Sequence, residues 1–573
     1  MKRRGFLVLT AAGLLGAAFE PAQAAPITRH PRPGDADWPS DRDWGTLRAR
    51  LGDRFIEHIP AFQRAVPNPF ERQEMPGATQ SAGWVGAWKS APSACAVAAE
   101  SAKDVALAVD FARRHHLRLV IKGTGHDYLG RSSAPHALLL WTHRMRQTTW
   151  HDNFVPQGAP TGSPGLPAVS VRAGNRWLEA YQEATTRHGG YVQGGGCTSV
   201  GACGGFLLGG GFGSFSKRYG TGAASALEFE VVTADGRVRM VNAWREPDLF
   251  WALRGGGGST FGVVTRATLM SHDLPATFGG VNGTIRAKSD EAFAELIDRF
   301  CRFYFEALNT PHWGEQFSLT PHNSLHLSLV CADLSEEQIA RLWSPLWAWL
   351  AADPSRYEVE HRAGVYPGRD KWDLQYFEHR FPHSIVVDPT DRSRFWWAGN
   401  TEEVGAFWYT YQSRWLPLRL FEPESRGTLA RALFDASRHW PIGMHLNKGL
   451  AGAPPQVLQR CSDTSMNPVS LDAACLVIAA AGKQTDAPDS GEAAASTVRV
   501  TQAMRGLRVL TPEGGTYCNE ADYFEPDWQR SFWGTNYDRL LAIKRRYDPL
   551  GLFHCHHSLG SEGWSDDQMT RSS

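Results

Sequence analysis

Apolar residues recur on one helical face just after Ser101. Val105, Val109 and Ala112 follow a start from Ser101 to Asp104 that reads as a capping box. Residues 117–122 then run apolar as a strand and end in Gly123, Thr124, Gly125 and His126. The order repeats with a strand over 169–172, a helix over 177–188 closed by Gly189, and a strand start at Tyr191 and Val192 before a glycine loop. Runs over 228–233 and 237–241 flank Ala234, Asp235 and Gly236, a hairpin signal, and Pro247 with Asp248 opens a short helix. Strands alternating with helices predict α/β units in this half.

From about 275 to 495 the pattern changes. Helical segments over 290–305 and 336–350 alternate with strand-like runs such as 324–331, and Trp396, Trp397, Phe407, Trp408 and Tyr409 crowd together. Residues 485–495 are polar and read as a surface loop, and residues 25–45, rich in Pro, Asp and Arg, as a loose arm. Glycine- and aromatic-rich sequence returns over 514–560. Similar ends around a different middle predict a discontinuous domain, 40–270 with 500–573, holding an insert at 271–499.

Length supports that division, because 573 residues exceed what one hydrophobic core serves. Fifty-nine basic and 59 acidic residues leave no net charge, which argues against a broad electrostatic nucleic-acid binder. Lys2, Arg3 and Arg4, an apolar stretch to Phe19 and Ala22-Gln23-Ala24 form a signal peptide over 1–24, too short to span a bilayer. Its paired arginines look like a twin-arginine signal, so the chain is expected to be exported, periplasmic or secreted. Nine cysteines, an odd number, leave at least one unpaired. His554, Cys555, His556 and His557 are consecutive, and on an extended segment they would point to alternate sides, so no metal site is expected.

The densest chemical signal is 194–213, where ten of twenty residues are glycine. Removing side chains lets backbone N–H groups approach an extended anion such as a pyrophosphate. No Gly-Lys-Ser/Thr follows, so this is not a Walker A loop, and G-x-G-x-x-G is absent, which excludes an NAD-dependent Rossmann enzyme. A second cradle spans 254–262, and Gly123 with Gly125 makes a third close-approach site.

The run from Lys122 through His126 and Tyr128 to Gly130, the loop from Cys197 to Gly201 and the run over 254–258 resemble the FAD-binding domain of berberine-bridge-enzyme-like oxidases, in the vanillyl-alcohol-oxidase superfamily. Tyr517, Asn519 and Asp522, then Tyr537 to Lys544 and Tyr547 to Phe553, agree in order, and Asn447 to Gly452 and Ser558 to Trp564 look like a microbial alcohol-oxidase-like subgroup. The resemblance implies an α+β fold: a two-part FAD-binding domain of the vanillyl-alcohol-oxidase type with an inserted α/β substrate domain built on an antiparallel sheet. It implies bicovalent FAD, with His126 on the flavin 8α-methyl and Cys197 on C6. Lys122, Gly123, Thr124, Gly125, Gly130, Ser199, Val200, Gly201, Gly204, Gly205, Gly211, Gly262, Val263 and Asn519 would line the cofactor. Val200 matches a position that gates oxygen, where Val resembles oxidases.

For the substrate side, the resemblance implies Tyr128, Tyr517, Glu520 and Asp522. A phenol needs a neighbouring carboxylate or cation to act as base near neutral pH, which favours Tyr517 assisted by a carboxylate. Two departures stand out: Phe206 replaces a frequent His, and residues 473–479 carry no acid where the family often has one. The expected function is oxidation of a CH–OH group with electrons passed to O2, giving H2O2, and the crowded aromatics over the flavin. A same-fold dehydrogenase with another acceptor, a CH–NH oxidase, and an exported non-catalytic flavin- or ligand-binding protein remain as alternatives.

Overall fold

A computed structural model describes residues 27–60 and 66–571; the expected signal peptide lies outside them. Three large sheets and one two-stranded hairpin, Ile385–Val387 with Phe395–Trp397, carry the described residues. The first pairs Cys95–Ala98, Leu138–Trp141 and Leu119–Lys122 in parallel, with Phe55–Ile56 added antiparallel at one edge. The crossover helix is Ala102–Arg114, begun by the expected capping box: Ser101 accepts from the Asp104 amide while Asp104 accepts from Ser101, a motif worth ~1 kcal/mol. Its face of Val105, Ala108, Val109 and Ala112 is wholly buried.

The second sheet is antiparallel, in the order Val238–Asn242, Ala226–Val232, Val263–Asp273, Leu166–Arg172 and Thr148–Phe154, with Gly190–Val192 pairing the far end of its central strand. The third has nine strands. Seven come from the insert, running Tyr357–Pro367, Thr277–Ala287, Ser324–Ala332, Trp313–Thr320, Ile442–His445, Ala473–Gln484 and Ala406–Pro417. The other two, Gly83–Trp84 and Trp88–Lys89, come from the N-terminal part and attach through a parallel pairing of Gly83–Trp84 with Ala406–Pro417. The fold is therefore the mixed helix and sheet architecture expected, with one strand pair crossing between its parts.

Four local expectations change. The arm is pinned from residue 27 onward: Ile27 is buried and donates to the Leu550 carbonyl, and Arg29 bridges to Thr570. The polar run over 485–495 is only partly a loop, because Asp489 caps the amides of Gly491 and Glu492 and starts the helix Ser490–Leu510. That helix runs through the expected boundary at 499 and buries Val500, Ala503, Met504 and Leu507 in the core of the nine-stranded sheet. Helix 177–188 changes pitch: Trp177–Tyr181 is α-helical and Gln182–Arg187 is a wider π turn, closed by Gly189 with φ +68.

The C-terminal histidines lie against aromatic rings, His554 on Trp564 at 3.8 Å, His556 on Tyr523 at 3.6 Å and His557 on Trp528 at 5.0 Å. All nine cysteines are free thiols, eight of them buried. Among the described residues no helix is long and apolar enough to cross a membrane.

Candidate active site

The C-terminal end of strand Leu119–Lys122 opens into a cleft of about 1300 Å³, including its open mouth. Its walls are the turn at residues 123–128, the loop segments 200–201 and 204–206, residues 258–259 and 262–264, and Tyr517, Asn519 and Glu520. The glycines meet here for a steric reason. A Cβ on Gly204 or Gly205 would touch nothing within 4 Å, so a side chain there would fill open cleft, and a Cβ on Gly258 would sit 3.2 Å from the Gly205 Cα. The Gly201 amide donates to Thr124 Oγ1 at 3.0 Å and locks the first turn to the second loop. A long, narrow floor of bare backbone suits an extended anionic dinucleotide.

At one end, Ser199 lies between two nucleophiles. Its Oγ is 3.0 Å from His126 Nε2 and 3.4 Å from Cys197 Sγ. Burial pushes the His126 imidazole down to about 3, so it is neutral with a free lone pair at ordinary pH. Burial pushes the Cys197 thiol up against the weaker pull of its Ser199 contacts.

Two phenols bound the same space. Tyr128 donates to Glu403 Oε2 at 3.0 Å, and its ring stacks on Tyr411 at 5.1 Å and meets Trp408 edge-on at 4.9 Å. Tyr517 accepts from Asn519 Nδ2 at 3.1 Å, and the same amide donates to the Gly205 carbonyl at 2.9 Å. Glu520 pairs with Lys448. Burial raises Glu403 above the usual carboxylate range, and burial followed by the Glu403 charge raises Tyr128 well above a free phenol.

Family comparison agrees with this geometry. Residues 93–242 match the FAD binding domain model and residues 516–560 the berberine and berberine-like model. An uncharacterized FAD-linked oxidoreductase of Arthroderma benhamiae is 30% identical over 587 residues, covering 94% of this chain and 95% of its own. The chain belongs to the FAD-linked oxidoreductases. Within that group it is similar to the VAO-type flavoprotein oxidase VAO615 of Thermothelomyces thermophilus, 29% identical over 94% of each chain. The crystal structure of VAO-type flavoprotein MtVAO615 from Myceliophthora thermophila superposes with a TM-score of 0.78 at 27% identity, over 95% of this chain and 100% of the other. Glucooligosaccharide oxidase from Acremonium strictum, which carries a 6-S-cysteinyl, 8α-N1-histidyl FAD, shares the fold at 18% identity and a TM-score of 0.65, over 90% of this chain and 98% of its own.

In this FAD-linked oxidoreductase most of the predicted site residues do converge. Gly123, Thr124, Gly125, His126, Tyr128, Val200, Gly201, Gly204, Gly205, Gly262, Val263, Tyr517, Asn519 and Glu520 all line the cleft, with Cys197 and Ser199 beside it. Four residues lie elsewhere. Lys122 is buried and donates its ammonium to the carbonyls of Met75, Pro76 and Ala78, so it ties down the 75–78 loop behind the cleft. Asp522 lines a separate cavity on the far side of strand Ala406–Pro417, where it accepts from Thr410 at 3.4 Å. Gly130 is needed because Trp88 covers it, 2.6 Å from an added Cβ, and Gly211 because Phe206 does, at 2.9 Å.

The carboxylate-bonded phenol is Tyr128, whereas Tyr517 bonds an amide. Of the five crowded aromatics, Trp397 donates to the Gly196 carbonyl at 2.7 Å and Trp408 touches Tyr128; Trp396 and Phe407 are core, and Tyr409 turns away toward Glu492. Glu403, Lys448 and Tyr411 are site residues that sequence reasoning missed. Lys448 lay inside a recognised stretch, whereas Glu403 stands in a 3-10 turn, Ala398–Glu403, with nothing local to mark it.

Proposed function

We propose that this FAD-linked oxidoreductase is an oxidase that removes a hydride from a CH–OH group of a small organic substrate, with FAD held through both His126 and Cys197. Bound there, the flavin would accept the hydride and pass two electrons to O2, giving H2O2. The observation that carries the reading is Ser199, whose hydroxyl touches both nucleophiles at the end of a glycine-floored cleft. A neutral imidazole and a thiol held a few ångströms apart suit two tethers on one ring.

The chain's own groups supply the rest. Gly204 and Gly205 leave room for the cofactor, Gly258 lets its loop pack against Gly205, and Asn519 bonds both the Gly205 carbonyl and the Tyr517 phenol. Tyr128, Tyr517 and Glu520, the last paired with Lys448, face the remaining space, where a substrate hydroxyl would bind and lose its proton. Val200 presents a small apolar surface to the cleft, in keeping with access for O2. The proposal includes export of the chain with residues 1–24 as leader.

The test is acid precipitation followed by the absorption spectrum of the redissolved pellet. A yellow pellet, abolished only when H126A and C197A are combined, with peroxide formed from an alcohol, supports the reading. A colourless pellet refutes the tethers. Flavin reduction by alcohol with no peroxide refutes the oxidase.

A further inference from the structure

Building on the proposed alcohol oxidation, we propose that Glu403 is a positioning residue for Tyr128: it fixes the phenol toward the substrate and receives the phenol proton as Tyr128 takes the substrate's. The two residues are 275 positions apart, and they meet because the segment 395–403 packs against the loop around Cys197 and reaches Tyr128. Three contacts dock that segment. Thr198 donates to the Phe395 carbonyl at 2.6 Å, Trp397 donates to the Gly196 carbonyl at 2.7 Å, and Gln484 donates to the carbonyls of Thr401 and Val404 at 2.8 and 2.7 Å. The first two grip the residues on either side of Cys197.

Chemistry selects this pair over its rivals. Residues 473–479, on strand Ala473–Gln484, hold no acid, and the Tyr517 phenol accepts from an amide that cannot take a proton in return. Glu520 is already committed to Lys448. Glu403 faces Tyr128, Tyr411, Cys197, Glu520 and Lys448, and burial makes its carboxylate a stronger base than a solvated one. A tyrosinate standing beside that charge in a buried site would be costly, so the transfer is a relay. The substrate O–H proton moves to the Tyr128 oxygen while the phenol's own proton moves to Glu403 Oε2, and Glu403 goes from charged to neutral. The hydride lost from the same carbon is the oxidation already proposed; this pair accounts for the proton alone.

The experiment uses the flavin-loaded protein and the variants E403Q, E403D and Y128F. E403Q is expected to keep its pellet flavin and KM while kcat falls about 100-fold, the low end of general-base effects. The wild-type rate should rise with pH through an acid limb set by Glu403, and that limb should vanish in E403Q. E403D should recover part of kcat, and adding E403Q to Y128F should cost nothing more. A readout independent of turnover is the 13Cζ tyrosine NMR signal of Tyr128, assigned by its loss in Y128F. In E403Q that signal should shift at neutral pH, because the phenol has lost its charged hydrogen-bond acceptor. Wild-type kcat in E403Q, an unchanged acid limb, or an unmoved Tyr128 signal would overturn the proposal. If the wild type oxidises no alcohol, the functional reading fails, and the NMR shift still decides whether Glu403 governs Tyr128.

Discussion

Thr198→Val should loosen the segment 395–403 from the loop around Cys197 without unfolding the protein. In the small hairpin Ile385–Val387 with Phe395–Trp397, Phe395 faces Val387, while the flanking pair bonds through the Asp388 amide and the Arg394 carbonyl. Phe395 therefore occupies a non-hydrogen-bonded position, and its carbonyl points away from the hairpin toward the Thr198 hydroxyl. Both residues are wholly buried, so water cannot replace the lost donor in the closed state. Valine matches threonine in shape, and the cost is that of a stranded buried carbonyl, about 1–3 kcal/mol. The opened segment would expose that carbonyl to water, so the whole cost falls on closure. The opening equilibrium should rise roughly 5- to 150-fold, since 1.4 kcal/mol is tenfold. Hydrogen exchange followed by mass spectrometry reads this directly. Peptides covering 395–404 should exchange faster by that factor, while those covering Leu138–Trp141 stay at wild-type rates. Unchanged exchange at 395–404, or acceleration everywhere, would refute the reasoning.

Other outcomes follow from separate features. Thiol titration in denaturant should count eight cysteines per chain in flavin-loaded protein and nine in flavin-free protein, because Cys197 is consumed by its tether and the others are unpaired. Gly205→Val should put a side chain into the cleft, so flavin content should fall to near zero while the circular dichroism spectrum holds. Burial raises the Asp522 carboxyl, so the folded chain holds this proton more tightly than the unfolded chain does. Stability from this group is therefore lost as pH rises above the unfolded value of about 4. Asp522→Asn should remove that loss, raising the melting temperature at pH 7 but not at pH 3.5.

How far the sequence could be read depended on whether a feature was local. The capping box at Ser101, the hairpin at Asp235 and Gly236 and the glycine loops are each set by neighbours within a few residues, and all stand where expected. Asp489 was also local, yet its cap was hidden because a polar run reads the same in a loop and in a first helical turn. Glu403 and Tyr411 carry no local mark, since their importance comes from a contact with Tyr128 that the insert's path alone creates. Asp522 and Lys122 failed for the opposite reason. They sit in motifs that do build the site, but the turn after Glu520 carries Asp522 to Thr410 and the Phe524 amide at a separate cavity, and the Lys122 ammonium is drawn to three carbonyls behind the cleft.

The two short strands at 83–89 have a consequence for synthesis. Gly83–Trp84 pairs with Ala406–Pro417, so it leaves the ribosome more than three hundred residues before its partner exists. At elongation rates of about 5–20 residues per second, that interval is roughly 15–60 s. Throughout it, Trp84, wholly buried in the finished protein, has no sheet to enter. The N-terminal part thus emerges with an unsatisfied edge that only the late strands can close. The insert, for its part, is no portable cassette, because excising it takes away the strand that Gly83–Trp84 joins in parallel.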